Sequence, residues 1–371
     1  IEKMKDSLYH LYRNPNYAII VPLIFLLFYG CIAIYSATYS LGTSSIMLSR
    51  HLIYILIGLI IFFIFTILKK ETIQDLSLIL YGITLLLLIA LIGLKYLHVI
   101  PTPARWIQIK GFTFQPSEFM KVALVLVLSK IFSSDLPKAK MYLYSIVLTL
   151  IPVFLVLLQP DLGTAVIFLI IFLITCFVSK LGFPYVLLTI CLGLAFVFLF
   201  RGAIFHDYQI NRLTSFLNPL SDPEGEGWSV RQALIAIGSG GIYGKGFLNG
   251  TQSKMGFLPN TQYSDFIFAV IGEEFGLIGS LILISLFAFL ILACLNLSFK
   301  LEDYFGKVTI IGICGFLFFQ IFINIGMNIG LMPITGIPLP FISYGGSALI
   351  SNLAGMGIIY NAQINRKTLE F

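Results

Sequence analysis

Charged residues are scarce in this chain. They make up 11% of its 371 residues, while 58% of the residues are hydrophobic; a soluble domain carries about 25% charged residues. This shortage excludes an ordinary soluble globule and favours a polytopic membrane protein, folded as one membrane-embedded domain over residues 1–371. The net charge is +6, but the basic residues are dispersed, so no nucleic-acid partner is expected.

Several catalytic and metal-binding patterns are also missing. The five cysteines form no CxxC pair and the four histidines have no ligand spacing, so no redox or zinc motif is indicated. A Ser-His-Asp hydrolase lacks support because no GxSxG occurs. The stretch GSGGIYGKGFLNG at 238–250 lacks P-loop spacing. We interpret it as a flexible external loop, with Lys245 as a weaker candidate for binding an anion.

Long apolar runs are what the chain has in abundance. Ten are long enough, or nearly so, to cross a bilayer of about 30 Å. Their approximate spans are 17–36, 52–68, 76–97, 117–133, 141–158, 162–179, 183–200, 263–297, 307–330 and 341–360. More than half of the Lys and Arg residues fall in loops on the side of the N-terminus, which places both termini in the cytoplasm.

Two polar segments then face outward. Residues 101–118 contain the alternating RWIQIKGFTF, which predicts a small hairpin or an interfacial segment. The larger external loop, at about 201–262, separates the seventh and eighth spans. Within it, WSVRQALIAIGSGG predicts an amphipathic helix ended by glycines.

Ionisable residues at the outer span ends are the candidates for a site. Glu118 and Lys121 share a helix face and form either an interfacial salt bridge with a cap or a functional pair. Asp161 suits the N-cap of the sixth span, and capping alone accounts for it. Arg50 and Arg212 either hold a phosphate or extend from the apolar surface into water.

Asp265 opens the eighth span within TQYSDFIFAVIGEE. Ser264 suffices as a helix cap, so we expect the additional carboxylate to have a task. Of Glu273 and Glu274, about two turns deeper, we expect at least one to make structural hydrogen bonds. An exposed carboxylate can act as a general base, cations can hold a diphosphate, and an apolar bundle can hold a lipid. A lipid-linked diphosphate substrate fits these parts, and transport remains an alternative.

Six motifs carry a family resemblance. FQPSEFMK, QPDLGTA, RQALIAIGSGG, GKGFLNGTQS, DFIFAVIGEEFGLIG and NIGMNIGLMPITGIPLPFISYGG occur in this order. Together they resemble the SEDS family of RodA/FtsW proteins over about residues 17–361, the elongation type more than the division type. The resemblance implies an all-α fold of ten transmembrane helices. It also implies a peptidoglycan glycosyltransferase that polymerises lipid II outside the cytoplasmic membrane.

The resemblance also implies residue roles and partners. It makes Asp265 the general base and maps Arg50, Glu118, Lys121 and Asp161 onto family motifs as substrate-binding residues; Arg212 and Lys245 complete that candidate set. The expected partners are a class B penicillin-binding protein and other elongation-complex proteins. A divalent cation, Mg or Mn, is expected near Glu118, Asp161 or Asp265.

This sequence also departs from the family pattern. Tyr263-Ser264 stands where the family often has His-Thr, so the role of that His is absent or is taken over by Tyr263 or Gln262. Two alternative functions stay open. They are a lipid II flippase and a non-enzymatic scaffold of the wall-synthesis machinery.

Overall fold

The computed structural model describes residues 16–97, 105–109, 112–204, 216, 225–259 and 261–365. These residues are mostly helical, with twelve helices and one two-stranded sheet. The helices are α1 Tyr17–Ala37, α2 Ser44–Ile67, α3 Lys70–Tyr96, α4 Pro116–Phe132, α5 Lys138–Leu158, α6 Leu162–Val178, α7 Phe183–Ile204, α8 Glu226–Gly240, α9 Thr251–Lys254, α10 Ile267–Phe299, α11 Tyr304–Asn328 and α12 Gly346–Ile364; the strands are β1 Ile107–Ile109 and β2 Phe112–Phe114.

Six of the described helices are long and apolar enough to cross a membrane: α1, α2, α3, α5, α10 and α11. Helix α6 and the first part of α7, Phe183–Ala195, are shorter apolar helices. The prediction of a helical, multi-pass membrane protein is therefore confirmed, while the count of ten spans stays a prediction. The predicted amphipathic helix is present as α8 and ends at Gly241, whose φ is +56°.

The predicted hairpin is present as β1 and β2. The two strands pair antiparallel, with Ile107 opposite Phe114. Ser347, in the first turn of α12, fixes the end of this hairpin. Its hydroxyl accepts from the Gln115 N–H at 2.9 Å and donates to the Thr113 carbonyl at 3.2 Å. The hairpin is thus held at the N-terminal ends of both α4 and α12.

Helix α4 lies at the centre of the bundle. It contacts α3, α6, α11 and α12, and residues 120–129 are all buried. An apolar sequence from Val122 to Leu128 allows this all-round burial. Because Glu118 and Lys121 lie in the first turns of this central helix, both charges are carried into the interior.

Helix α10 is broken at Gly276, where φ is +64° and ψ is −158°. The break leaves backbone groups without partners in their own helix, and residues 241–246 supply them. Leu277 and Ile278 donate N–H bonds to carbonyls in this stretch, at 2.9 and 3.2 Å, and the Glu273 and Glu274 carbonyls accept N–H bonds from it, both at 3.0 Å. The glycine-rich stretch is therefore docked on α10, and the expectation of a flexible loop is wrong here.

Glycine is required for that docking because the two backbones approach closely. A Cβ built on Gly240 or Gly244 would overlap the backbone of α10. Gly244 also has a φ of +78°, which side-chain-bearing residues rarely adopt. Gly240 and Gly244 thus serve the packing of this stretch on α10.

Candidate functional site

Asp265 lies in the turn that precedes α10 and is half-buried. Two asparagines one turn apart on α11 hold its backbone carbonyl: the Asn324 and Asn328 amides donate to it at 3.1 and 3.0 Å. The Asn328 side-chain oxygen also accepts the Ala269 N–H at 3.2 Å. Helix α11 therefore fixes the start of α10, and with it the position of the Asp265 carboxyl group.

The expected cap by Ser264 is wrong. The N-cap residue of α10 is Phe266, whose side chain makes no capping hydrogen bond. The Ser264 hydroxyl donates instead to the Thr261 carbonyl at 3.2 Å. Asn328 satisfies a first-turn N–H in its place, from another helix.

Gly336, in the segment 336–338, lies beside the Asp265 side chain. A Cβ built on Gly336 would be 3.9 Å from an Asp265 carboxylate oxygen. The Asn324 amide that holds the Asp265 carbonyl also donates to the Ile337 carbonyl at 2.8 Å. The three residues 336–338 form a wall of a small cavity of about 40 Å³. We call it the Asp161 cavity.

The Asp161 cavity gathers several of the sequence-predicted residues. Its polar lining includes Arg105, Gln115, Glu118, Lys121, Asp161 and Gln320. A volume of about 40 Å³ is far below the range of small-molecule sites, about 300–1,000 Å³. The cavity therefore cannot enclose a sugar or a diphosphate. A substrate would have to bind outside it, where Arg105 and Gly336 line the cavity.

Glu118 and Lys121 form an ion pair of 2.6 Å with side chains only 5% and 2% exposed. The Lys121 ammonium also lies 5.8 Å from the centre of the Phe316 ring. Ser351 donates to the Glu118 carbonyl at 2.6 Å. The predicted salt bridge between the two residues is therefore present, and it is buried within the protein.

Asp161 caps α6, as predicted. Its carboxylate accepts from the Thr164 N–H at 3.2 Å and from the Thr164 hydroxyl at 2.9 Å. The Arg105 guanidinium lies 3.9 Å from the same carboxylate and donates to the carbonyls of Gln159 and Pro160. Arg105 thereby brings a second cation to the cavity.

Sequence reasoning missed Arg105 and Gln320. Gln320 is 1% exposed, and its side-chain oxygen has no hydrogen-bond partner among the described residues. Its signal in the sequence is an amide within the apolar run of α11, one turn before Asn324. Arg105 gave a weaker signal, as a cation next to Trp106 in the short polar segment 101–118.

Arg50 is connected to the segment beside Asp265 by a cluster of tyrosines. Its guanidinium bonds the Tyr344 hydroxyl, which also shares a hydrogen bond with Tyr54. The Tyr344 N–H donates to the Tyr263 carbonyl at 2.9 Å, and the two rings meet edge to face at 5.7 Å. Tyr263, which stands near the family's usual His position, therefore packs against Tyr344 and links Arg50 to the backbone beside Asp265.

Lys245 is not among the described residues of the Asp161 cavity. Its ammonium lies 2.8 Å from Glu273 and 2.6 Å from the Thr251 hydroxyl. Glu273 also accepts the N–H groups of Gln252 and Ser253. The neighbouring acid Glu274 accepts from the Ser36 hydroxyl at 2.5 Å. Both acids therefore make structural hydrogen bonds, as expected for at least one of them.

Two predictions about the site remain, the substrate-binding residue Arg212 and a divalent cation. Arg212 lies outside the described residues. Within the described part of the chain, no three His, Cys, Asp or Glu side chains are close enough together to hold a metal ion. Glu118 is occupied by Lys121 and Asp161 by Thr164. The expectation that Glu118, Asp161 or Asp265 binds a divalent cation stays a prediction.

The fold and site define a polytopic membrane protein with carboxylates and cations gathered at one end of an apolar helix bundle. The chain belongs to the FtsW/RodA/SpoVE family, whose sequence model, described as a cell cycle protein, matches residues 17–368. The resemblance seen in the motifs is therefore confirmed.

Curated relatives cover most of the chain. It is 38% identical to the peptidoglycan glycosyltransferase MrdB of Escherichia coli over 350 residues, 94% of this chain and 93% of that protein. It is 34% identical to the stage V sporulation protein E of Bacillus subtilis, over 94% of this chain and 96% of that protein. It is also 34% identical to the peptidoglycan glycosyltransferase RodA of Treponema pallidum, over 71% and 77% of the two chains.

Solved structures share the fold. A chain from a peptidoglycan synthase complex, described as coordinating polymerization and crosslinking, superposes with a TM-score of 0.80 at 27% identity, over 96% of this chain and 99% of that one. The rod shape determining protein RodA of Thermus thermophilus gives a TM-score of 0.69 at 25% identity, over 95% and 98% of the two chains.

Proposed function

We propose that the chain is a peptidoglycan glycosyltransferase that polymerises lipid II on the outer face of the cytoplasmic membrane during cell elongation. The enzyme class rests on the named relatives, which match over most of their length. One observation carries the proposed chemistry. The Asp265 carboxylate lies beside Gly336, which also lines the cavity shared by Arg105 and the Glu118–Lys121 pair.

In the proposed reaction, Asp265 accepts the proton of an acceptor sugar hydroxyl. The hydroxyl oxygen then forms a bond to the anomeric carbon of the donor sugar while the bond from that carbon to the diphosphate oxygen breaks. Undecaprenyl diphosphate leaves with the electron pair, and the configuration at the anomeric carbon inverts. A positioned general base contributes about 10²–10⁴-fold to such a step. The Asn324 and Asn328 bonds to its carbonyl supply that positioning.

The departing diphosphate needs positive charge, and two arginines are suited to supply it. Arg50 approaches through Tyr344, and the Arg105 side chain is 20% exposed. A guanidinium binds phosphate oxygens through two parallel N–H bonds. Lys121 is buried and paired with Glu118, so we assign this pair to stabilising the cavity wall. We assign Asp161 to positioning Arg105. Arg212 stays a candidate phosphate ligand, and Lys245 is assigned to holding the 251–253 turn through Glu273.

We assign a divalent cation, Mg²⁺ or Mn²⁺, to the diphosphate of the substrate, because no group of three potential metal ligands occurs among the described residues. No proposed step passes through it. A class B penicillin-binding protein is the proposed partner, supported by the fold shared with a chain of a synthase complex. The elongation role is supported by the MrdB and RodA relatives.

The reaction class can be tested with the wild-type chain. It is purified, reconstituted in vesicles with fluorescent lipid II, and assayed with and without a class B penicillin-binding protein and with a chelator. Glycan strands resolved on a gel are the expected product. Translocation of lipid II without lengthening would support a flippase instead. If neither occurs while the complex still assembles, the scaffold function gains support.

A further inference from the structure

A second cavity lies at the end of the bundle opposite to Asp265. Helix α10 starts beside Asp265 and ends at Phe299, 33 residues later, so its last turn lies far from Asp265. Just past that end, the α2–α3 turn, the α10–α11 turn and the last turns of α12 enclose about 590 Å³. We call this space the Thr309 cavity. Its size falls within the range of small-molecule sites, about 300–1,000 Å³.

The rim of the Thr309 cavity carries charges of both signs. Lys70 and Asp303 form a 2.6 Å ion pair, and Asp303 also accepts the Gly306 N–H at 2.8 Å as the cap of α11. These two charges are satisfied within the protein. Lys300, Glu71 and Glu302 also line the cavity and are exposed. They present one cationic and two anionic groups to a ligand.

A buried hydroxyl points to a ligand in the same space. Thr309 lines the cavity and is 1% exposed, and its hydroxyl has no hydrogen-bond partner among the described residues. A buried hydroxyl without a partner is costly, and a ligand oxygen in the cavity would supply one. Ile73, Phe305 and Ile358 add apolar wall beside it.

From these features we propose that the Thr309 cavity binds the headgroup of a zwitterionic, amine-bearing phospholipid such as phosphatidylethanolamine. Glu71 and Glu302 would bind the ammonium group and Lys300 the phosphate, while the Thr309 hydroxyl would donate to a phosphate or ester oxygen. The cavity lies at helix ends, which is the level of lipid headgroups, and its apolar wall suits the start of an acyl chain. Among the described lining residues, a purely anionic lipid would face the carboxylates of Glu71 and Glu302 against Lys300.

Lipid binding to the detergent-purified full chain tests this proposal. Phosphatidylethanolamine, phosphatidylglycerol and the water-soluble glycerophosphoethanolamine are each titrated, with native mass spectrometry and thermal unfolding as readouts. Phosphatidylethanolamine should bind saturably and at least fivefold more tightly than either of the others. Equal binding of phosphatidylglycerol would overturn the charge argument. Equal binding of the soluble headgroup would overturn the assignment to a lipid.

Variants locate the binding. Lys300→Gln and the double variant Glu71→Gln/Glu302→Gln should each weaken phosphatidylethanolamine binding at least fivefold, and the double variant should lose discrimination against phosphatidylglycerol. Lys140→Gln is the matched control, because Lys140 is an exposed lysine at the same end but outside the cavity lining. Unchanged binding by both cavity variants would place the lipid elsewhere.

Thr309→Val separates ligand binding from folding. It removes the hydroxyl at nearly constant shape, so the lipid-free protein should melt at the same temperature or higher, because no hydrogen bond is lost. Phosphatidylethanolamine binding should nevertheless weaken at least threefold. A lower lipid-free melting temperature with unchanged lipid affinity would show that the hydroxyl serves the protein alone, and would overturn its role in the site.

Discussion

Glu118 and Lys121 form a buried ion pair whose members cannot be removed independently. Each side chain is at most 5% exposed, and the removal of one partner leaves the other charge in a poorly solvated site. Loss of a single partner of a buried pair costs about 3–5 kcal/mol, whereas replacement of both can be nearly neutral. This asymmetry allows the pair's structural and functional roles to be separated.

We therefore expect Lys121→Met to lower the free energy of unfolding by about 3–5 kcal/mol. The double variant Glu118→Gln/Lys121→Met should recover most of that loss, because no charge stays buried alone. The double variant should nevertheless polymerise lipid II more slowly than wild type, because the wall of the Asp161 cavity next to Arg105 has changed. Thermal unfolding and a lipid II gel assay measure the two effects. Wild-type polymerisation by a stable double variant would make the pair purely structural.

Tyr344 joins Arg50 to the backbone beside Asp265, and we expect Tyr344→Phe to disconnect them. The ring contact with Tyr263 is kept while the hydrogen bonds to Arg50 and Tyr54 are lost. Polymerisation should fall about tenfold, the equivalent of about 1.4 kcal/mol, mainly through a raised KM for lipid II. The melting temperature should change little.

Tyr304→Phe is the matched control for that variant. The Tyr304 hydroxyl donates to the Val178 carbonyl at 3.2 Å at the opposite end of the bundle. It should leave the KM for lipid II unchanged. An equal rise in KM for both variants would argue against a specific link from Tyr344 to Arg50.

The sequence predicts some of these residues better than others. Glu118, Lys121 and Asp161 stand out because charges are rare within apolar runs, and the structure brings all three to one cavity. Arg105 and Tyr344 could not be assigned in the same way. Their positions depend on how the hairpin and the 329–345 segment dock, which no local pattern encodes.

Among the helices, α10 depends most on an unusual backbone. Its break at Gly276 lets residues 241–246 add their hydrogen bonds to the helix, and this docking brings Glu273 to Lys245 and the 251–253 turn. The sequence displays the glycines but not their partner. A glycine-rich composition is equally compatible with a flexible loop, and only the contacts with α10 distinguish the two.

Gly276→Ala should destabilise the protein strongly. The backbone conformation there is almost restricted to glycine, and forcing another residue into it costs about 1–3 kcal/mol. A Cβ would also overlap the backbone of Gly244. Gly82→Ala is the control, because Gly82 is within helix α3 with open space around it. It should be neutral or stabilising by about 0.5–1 kcal/mol. Equal melting temperatures for the two variants would contradict the role of the break.

For the whole molecule, the proposed orientation sets Asp265 outside the cell. The positive-inside rule predicts cytoplasmic termini and an external 201–262 loop. Tyr243 in that loop is 82% exposed, and Asp135 is exposed at the opposite end of the bundle. These two positions can report the two sides of the membrane.

We expect a membrane-impermeant maleimide to label Tyr243→Cys but not Asp135→Cys in intact cells. The exposed Cys191 is first replaced by Ser, while the other four cysteines are buried or half-buried. Both variants should be labelled after the cells are permeabilised. The reverse pattern in intact cells would place the Asp265 end inside and would contradict polymerisation at the outer face.

The central claim is that Asp265 takes the proton of the acceptor sugar. The most direct test compares Asp265→Asn with wild type in the rate of lipid II polymerisation, with the partner transpeptidase present. Asp135→Asn, at an exposed aspartate of the opposite end, is the control. We predict a loss of at least about 10²-fold for Asp265→Asn, an unchanged melting temperature and normal partner binding, with the control at the wild-type rate. Glycan strands formed by Asp265→Asn at the wild-type rate would contradict the account.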